Sequence, residues 1–471
     1  MLRRVVVPVA SPLFRYASTQ RRPFRLTRVQ AAVGISAITM LAVGVGGLML
    51  DAGTHFWLER RLRRSKTTSI DPEWGWELEA ENWTGDPRQG GTDPALGRQG
   101  RKAVRSAWFS EHSPEKYGPL DDDEAASNGA TNVVDAVLLR TELCLRSAIA
   151  VAEQPEVAGK LHPNTLPDLL MKRAAILERL GPSHLVESRA QYDRVFRLLG
   201  GEGLQAARIA VKMGDINQRL GEGPDALAWW ARAIQLVDDK EAGTKVPELP
   251  LVLPSPPAAQ RILFAALVST SAAYAMARQL SQAQKIEEGA LNLLRSIRTP
   301  DTLASVSPPQ ALHSLSLLHR SAILSLHLAE VLHAQRAPVA ECVTRLQAAA
   351  ASSERVAYAL VGTYVQDSDQ LAPSAEEPLL GRYSKNHYLE KPASNLLRDA
   401  RRSAADTWNL LGELTERMGP SHRRLALDYY TRAVGWAGKP NKEGGMERTD
   451  STLEDDWMLI WRNYTRMKQA A

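Results

Sequence analysis

Four histidines fall within one apolar stretch and are the residues of this chain that could bind a metal ion. A metal site built on one helix needs imidazoles about one turn apart, so that they share a face. The histidines are separated by six, eight and six residues, and no pair has the i,i+4 spacing; they are His313, His319, His327 and His333. The spacing predicts core or surface histidines, with no metal and no other cofactor.

The common motifs of enzymes are missing. The sequence has no HExxH, GxSxG, Walker A or GxGxxG run, and its two cysteines form no paired motif. Cys144 and Cys342 lie far apart within helical patterns, which excludes a disulfide framework. A single bridge between them and two buried thiols both remain open. The sequence therefore predicts a protein that is not an enzyme.

Peptide binding is the remaining chemistry, and helical-repeat proteins perform it on the concave face of their first helices. The repeat register predicts seven peptide-groove residues: Arg208, Val211, Asp215, Gln218, Val268, Asn409 and Glu413. The lysine and asparagine pair that would clamp a C-terminal carboxylate is missing. A mostly apolar centre with acidic ends suits extended, partly basic, unfolded segments of other proteins. A solvated surface with no ligand is the alternative.

Internal repeats would position these residues. The run ERLGPSH at 178–184 returns as ERMGPSH at 416–422. The second run follows a tetratricopeptide (TPR) pattern, in which W-x2-L-G lies on the first helix and A-x3-F-x2-A on the second. The predicted structural residues of that copy are Trp408, Leu411, Gly412, Ala426, Tyr430 and Ala433, and those of an earlier copy are Gly214, Ala226, Trp230 and Ala233.

Looser copies of the pattern start at Ala174 and Ser271, and residues 311–362 supply a degraded pair. Several matches in order predict an all-α fold, a TPR-like α-solenoid of about five helical pairs over residues 131–471. Residues 455–468 are expected to form a helix that closes the stack, as terminal repeats require.

The N-terminal fifty residues carry the basic charge of the chain. They contain seven Arg and no acidic residue, which gives them a net charge of +7. Because the net charge of the whole chain is +5, residues 51–471 carry a net charge of −2. This composition is typical of a mitochondrial transit peptide, predicted with a matrix stub over residues 1–30. The acidic balance of the rest argues against nucleic acid as a partner.

Residues 31–50 form an uncharged run of twenty residues, long enough to cross a bilayer as one helix. Basic residues flank the run on both sides, so charge counting leaves its orientation open. A transit peptide followed by a stop-transfer helix would place the body in the intermembrane space. The sequence thus predicts a single-pass protein of the mitochondrial inner membrane, in contact with lipid through residues 31–50.

Residues 51–130 read as a juxtamembrane basic segment and a flexible linker, because they contain few apolar residues and many Gly, Pro and Asp. Four tryptophans depart from this composition: Trp74, Trp76, Trp83 and Trp108. They could clip the linker onto the body or onto a partner, because exposed tryptophan is costly. Aromatic residues lying at the membrane interface are the other interpretation.

Together with this organisation, the runs Trp408-Asn-Leu-Leu-Gly412 and Ala226-Leu-Ala-Trp-Trp230 resemble the fungal TPR adaptor of the mitochondrial i-AAA protease. The resemblance implies an inner-membrane protein that binds unfolded or misassembled proteins and passes them to a membrane-embedded AAA protease. It transfers no binding residue, because the loops at 243–257 and 366–391 depart from the family. A scaffold or assembly factor for another inner-membrane complex is the alternative function.

Overall fold

The computed structural model describes residues 53–112 with gaps at 61, 63–71, 80–81 and 84–90, then 133–238, 249–362 with gaps at 251, 299, 301 and 304, 379–438 and 454–470. The chain divides into two compact units, Met1–Trp57 and Leu58–Ala471. The predicted transit peptide and membrane helix lie outside the described residues. All the helices from Gly97 onward belong to the second unit.

The described residues form helices, turns and short irregular segments and contain no strand, as the sequence predicts. The principal helices are α1 (Gly97–His112), α2 (Val133–Ala152), α3 (Thr165–Arg179), α4 (Leu185–Leu198), α5 (Gly203–Arg219), α6 (Gly223–Val237), α7 (Pro257–Met276), α8 (Leu280–Arg295), α9 (Pro308–Ala334), α10 (Val339–Val361), α11 (His387–Arg417), α12 (Arg423–Ala437) and α13 (Glu454–Ala470). Single helical turns lie at Pro155–Ala158 and Gly381–Ser384.

The helices pack as consecutive pairs, from α1 with α2 to α11 with α12. The first helices α5, α7, α9 and α11 also contact one another in succession, which is the arrangement of an α-solenoid. The described residues therefore contain six pairs, one more than the repeat pattern predicts. Helix α13 packs on the last pair and closes the stack, as expected for residues 455–468.

The additional pair begins inside the segment that the sequence assigns to a flexible linker. Helix α1 buries Val104 and Ala107, three residues apart, in a core shared with α2 and α3. The Asp93 carboxylate fixes the entry to α1, because it accepts hydrogen bonds from the Ala95 amide at 2.8 Å and the Thr165 hydroxyl at 2.6 Å. The linker prediction is wrong for residues 91–112, because a narrow stripe of small apolar residues is enough to pair α1 with α2.

The predicted TPR residues lie where two helices of a pair cross. Gly412 faces the Tyr430 ring so closely that an added Cβ would lie 2.6 Å from Cε1. Gly214 faces the Trp230 indole in the same way. The remaining predicted structural residues are all buried: Ala226, Ala233, Trp408, Leu411, Ala426 and Ala433. The repeat register is therefore consistent with the packing at both copies.

The repeated heptapeptide forms the same turn twice. Gly181 and Gly419 have φ of 106° and 119°, and each precedes a single 3-10 turn made by Pro-Ser-His. The motif glutamate then accepts a hydrogen bond from a tyrosine hydroxyl fourteen residues later, from Tyr192 in the first copy at 2.8 Å and from Tyr430 in the second at 3.1 Å. The turn and its tyrosine thus form one structural unit.

Helix α9 is long and apolar enough to span a membrane, by length and composition, and no other helix in the described part of the chain is. Half of its most apolar window is buried against protein, and it packs between α8 and α10. In this fold it is a central helix of the solenoid. Cys342 is buried and Cys144 half-buried, and both thiols are free, so the bridge left open by the sequence is not formed.

Candidate functional site

A short segment of the chain lies across the first helices of the solenoid. Residues 72–79, here called the groove segment, form a turn followed by the single 3-10 turn Trp76–Leu78. They contact α5, α7, α9 and α11. Because these four helices are the first helices of consecutive pairs, the surface they share is the predicted concave face.

Arg261, the fifth residue of α7, holds the backbone of the groove segment. Its Nη2 donates to the carbonyl oxygens of Trp74 at 3.0 Å and Gly75 at 3.2 Å. Its Nε lies 2.6 Å from the Glu79 carboxylate, and its guanidinium lies 3.7 Å from the centroid of the Trp76 ring. Arg261 is only 5% exposed, so these contacts replace the water that the charge would otherwise keep.

His313 on α9 orients this arginine. Its Nδ1 lies 3.3 Å from Arg261 Nη1, and its Nε2 lies 3.2 Å from Gln260 Oε1. Burial, together with the charge of Arg261, lowers the pKa of His313 to about 3, so the ring is neutral. A neutral ring that accepts at Nδ1 must donate from Nε2, which fits the Gln260 oxygen. The Trp74 ring packs against His313 with centroids 5.5 Å apart.

The remaining contacts fix the position of the groove segment along the face. The Trp76 indole is 4% exposed and donates to the Pro309 carbonyl oxygen at 2.9 Å. Gly75 has φ of 60°, and an added Cβ would lie 2.7 Å from the Cβ of Ala258. At the other end Arg208 donates to the Leu78 carbonyl oxygen. We call Arg208, Ala258, Arg261, Pro309 and His313 the groove site.

The structure divides the seven residues predicted for the peptide groove. Arg208 belongs to the groove site. Val211 and Val268 are 8% and 9% exposed and belong to the large hydrophobic core, so their prediction as free concave positions is wrong. Val211 lies one turn beyond Arg208 on α5, and both valines belong to the same buried cluster as Trp76 of the groove segment. A helical-repeat register alone does not distinguish such a buried position from an open surface.

Asp215 and Gln218 continue along α5 toward its C-terminal end. The Asp215 carboxylate accepts hydrogen bonds from the Trp230 indole at 3.2 Å and the Ser269 hydroxyl at 2.8 Å. Burial raises the pKa of Asp215. The residue thus joins α5 to α6 and α7, and Gln218 is half-buried beside it.

Asn409 and Glu413 face the closing helix. Asn463 of α13 donates to Asn409 Oδ1 and to Glu413 Oε1, both at 3.0 Å. Asn409 also donates to Glu413 at 3.1 Å. These positions correspond to the surface on which a further first helix would pack, and α13 covers them.

The four histidines of α9 take separate positions. His313 is in the groove site, His319 is buried and His327 and His333 are half-buried. Among the described residues no group of three or more His, Cys, Asp or Glu side chains could hold a metal ion. The sequence does not identify Gln260 and Arg261 as site residues. The tryptophans of the linker were a signal that this segment packs on the body, and the structure buries Trp76 and Trp83.

No family model matches the chain, and a search of curated proteins finds no similar sequence. Among solved structures, the crystal structure of BtubC (BKLC) from P. vanneervenii is similar with 16% sequence identity, over 59% of this chain and 96% of that chain. Its TM-score is 0.32, a similarity that supports no conclusion about function.

Proposed function

We propose that the protein is a membrane-anchored helical-repeat adaptor, which binds segments of unfolded or misassembled proteins and delivers them to a membrane-embedded AAA protease. The observation that carries the proposal is the groove segment, seated across four first helices by contacts to its backbone, its indoles and a carboxylate. A surface that holds one short segment in this way can hold a segment of another protein.

The anchoring part of the proposal comes from the sequence. The acid-free, arginine-rich leader and the uncharged run at 31–50 support a single-pass protein of the mitochondrial inner membrane, with the repeat unit in the intermembrane space. The resemblance to the fungal adaptor of the i-AAA protease supports the choice of partner.

Affinity purification of the full chain from detergent-solubilised mitochondria tests the proposal. An AAA protease accompanied by many client proteins in low amounts supports the adaptor. A single complex in fixed stoichiometry, without a protease, would instead identify a scaffold or assembly factor. The catalytically inactive form of the protease should be used for the capture, since it retains clients that the active form degrades.

A further inference from the structure

We propose that the groove site recognises a short partner segment with the pattern Trp-Gly-Trp-x-x-Glu, and that residues 72–79 occupy the site as an internal ligand until such a partner displaces them. This inference rests on the proposed function and specifies its ligand. The occupant is a segment of another protein with two indoles, a glycine between them and a carboxylate three residues after the second indole.

The contacts of Arg261 show which features the site requires. Three of its four hydrogen-bond partners belong to the groove segment, namely two backbone carbonyls and the Glu79 carboxylate, and the fourth is His313. Removal of the segment would expose this guanidinium, which is 5% exposed in the filled state, and water would replace three of its partners. The N–H groups of Arg261 are thus placed to donate to two backbone carbonyls and one carboxylate of an incoming segment.

The side chains add selectivity to the backbone contacts. The Trp76 ring packs under the Arg261 guanidinium and its Nε1 reaches the Pro309 carbonyl, so a phenylalanine in its place would lose the hydrogen bond. The glycine is required because its φ is positive and Ala258 leaves no room for a Cβ. These requirements do not depend on the segment being part of the same chain.

The covalent connection of the groove segment sets the strength of the competition. A tethered ligand acts at an effective concentration of about millimolar, so an external segment with the same contacts must exceed this value to displace it. Weakening the internal segment should therefore reveal the site to an external one.

Gly75→Ala is the variant that weakens the internal segment, and Gly200→Ala is its matched control. Gly75 has φ of 60° and ψ of 29°, and Gly200 has φ of 70° in the hydrogen-bonded turn that ends α4, so both substitutions place alanine in a left-handed backbone conformation. Only the Cβ at position 75 meets another atom within 4 Å. The difference between the variants thus reports the contact with Ala258.

The probe is a fluorescein-labelled peptide of residues 71–81, and the readout is fluorescence anisotropy with the full chain in detergent micelles. We expect the peptide to bind Gly75→Ala at least tenfold more tightly than the wild type or Gly200→Ala. The gain should disappear when Arg261→Lys, which cannot form the same fork of contacts, or Arg208→Gln is added to Gly75→Ala. Equal binding to all variants, or no binding to folded Gly75→Ala, would overturn the proposal.

Should Gly75→Ala not fold, the wild type is titrated with millimolar peptide carrying a photoreactive group at the first tryptophan. Crosslinks to α7 and α9 support the site, and crosslinks exclusively elsewhere overturn it. Capture of unfolded proteins by the full chain is measured separately. Retained capture without peptide binding would reject this site alone, whereas peptide binding without capture would reject the adaptor function alone.

Discussion

At the scale of single residues, one repeat position departs from the others. Tyr192, Trp230 and Tyr430 occupy the large-residue position of the second helix in three copies, whereas the copy built from α7 and α8 has Glu287 there. Glu287 has no solvent exposure. Burial, only partly offset by the Ser271 hydroxyl, raises its pKa to about 8.

This pKa predicts how stability depends on pH. In the unfolded chain a glutamate titrates near 4.3, so between about pH 4.3 and 8 the folded state holds a proton that the unfolded state has lost. Below this window Glu287 is protonated in both states and costs the fold no stability through its titration. As the pH rises through the window, the free energy of unfolding falls by up to about 1.4 kcal/mol per pH unit. Glu287→Gln keeps the shape and removes the titration.

We therefore expect the Tm of Glu287→Gln to exceed the Tm of the wild type by a margin that grows from pH 5 to pH 8. The control is Glu156→Gln, at an exposed position in the single turn Pro155–Ala158, because Glu288 lies close enough to Glu287 for its charge to raise the pKa of that carboxyl. The margin of Glu156→Gln over the wild type should not grow with pH. A margin for Glu287→Gln that does not change with pH would show that the carboxyl is ionised in the fold.

Val211 and Val268 give a second prediction at this scale. Because both are buried in the core, replacing them together by Asp should cost more than about 4 kcal/mol and unfold the solenoid. Circular dichroism measures the loss. Val186→Asp, at a position 58% exposed in the first turn of α4, is the control that should leave the melt within about 0.5 kcal/mol of the wild type. A folded double variant would mean that the two positions face solvent.

At the scale of elements, stability depends on how closely two helices of a pair approach. Gly412→Ala places a methyl group against the fully buried Tyr430 ring, which has no room to move. We expect a loss of about 1–3 kcal/mol from overpacking, despite the better helix propensity of alanine. Chemical denaturation of the full chain measures it.

Gly223→Ala, at the start of α6, is the comparison for this variant. The nearest atom to its added Cβ is Gln218 Oε1 at 4.0 Å, so the substitution should be neutral or slightly stabilising. Equal stability of the two variants would contradict the close crossing of α11 and α12.

The sequence predicts the helical pairs well where a small residue faces an aromatic one, as at Gly214 and Gly412. It does not predict α1, because the run GRQGRKAVRSAWFSEH has a polar composition and its few apolar residues become meaningful only against α2. It also does not predict the groove segment, since the contact between Trp76 and Pro309 joins residues 233 positions apart. The periodicity of apolar residues predicts which face of a helix is buried, but it does not predict which distant segment of the chain packs against that face.

At the scale of the whole molecule, the sequence makes a prediction about location and topology. The leader and the run at 31–50 predict that the protein resists carbonate extraction from mitochondria. The repeat unit should become sensitive to protease once the outer membrane alone is ruptured. Protection until the inner membrane is also opened would reverse the topology and exclude the proposed delivery of intermembrane-space clients.

The sequence separation of the groove contacts also sets an order of events during synthesis. Trp76 leaves the ribosome 233 residues before Pro309, a delay of roughly 10–50 s at ~5–20 residues per second. During that interval α9 does not yet exist, so the site for Trp76 is incomplete and the two indoles of the groove segment are available to other proteins. The first element of the groove to be made must therefore wait for α9 and α11, and every newly made chain presents, for a time, the ligand of a site that it has not yet built.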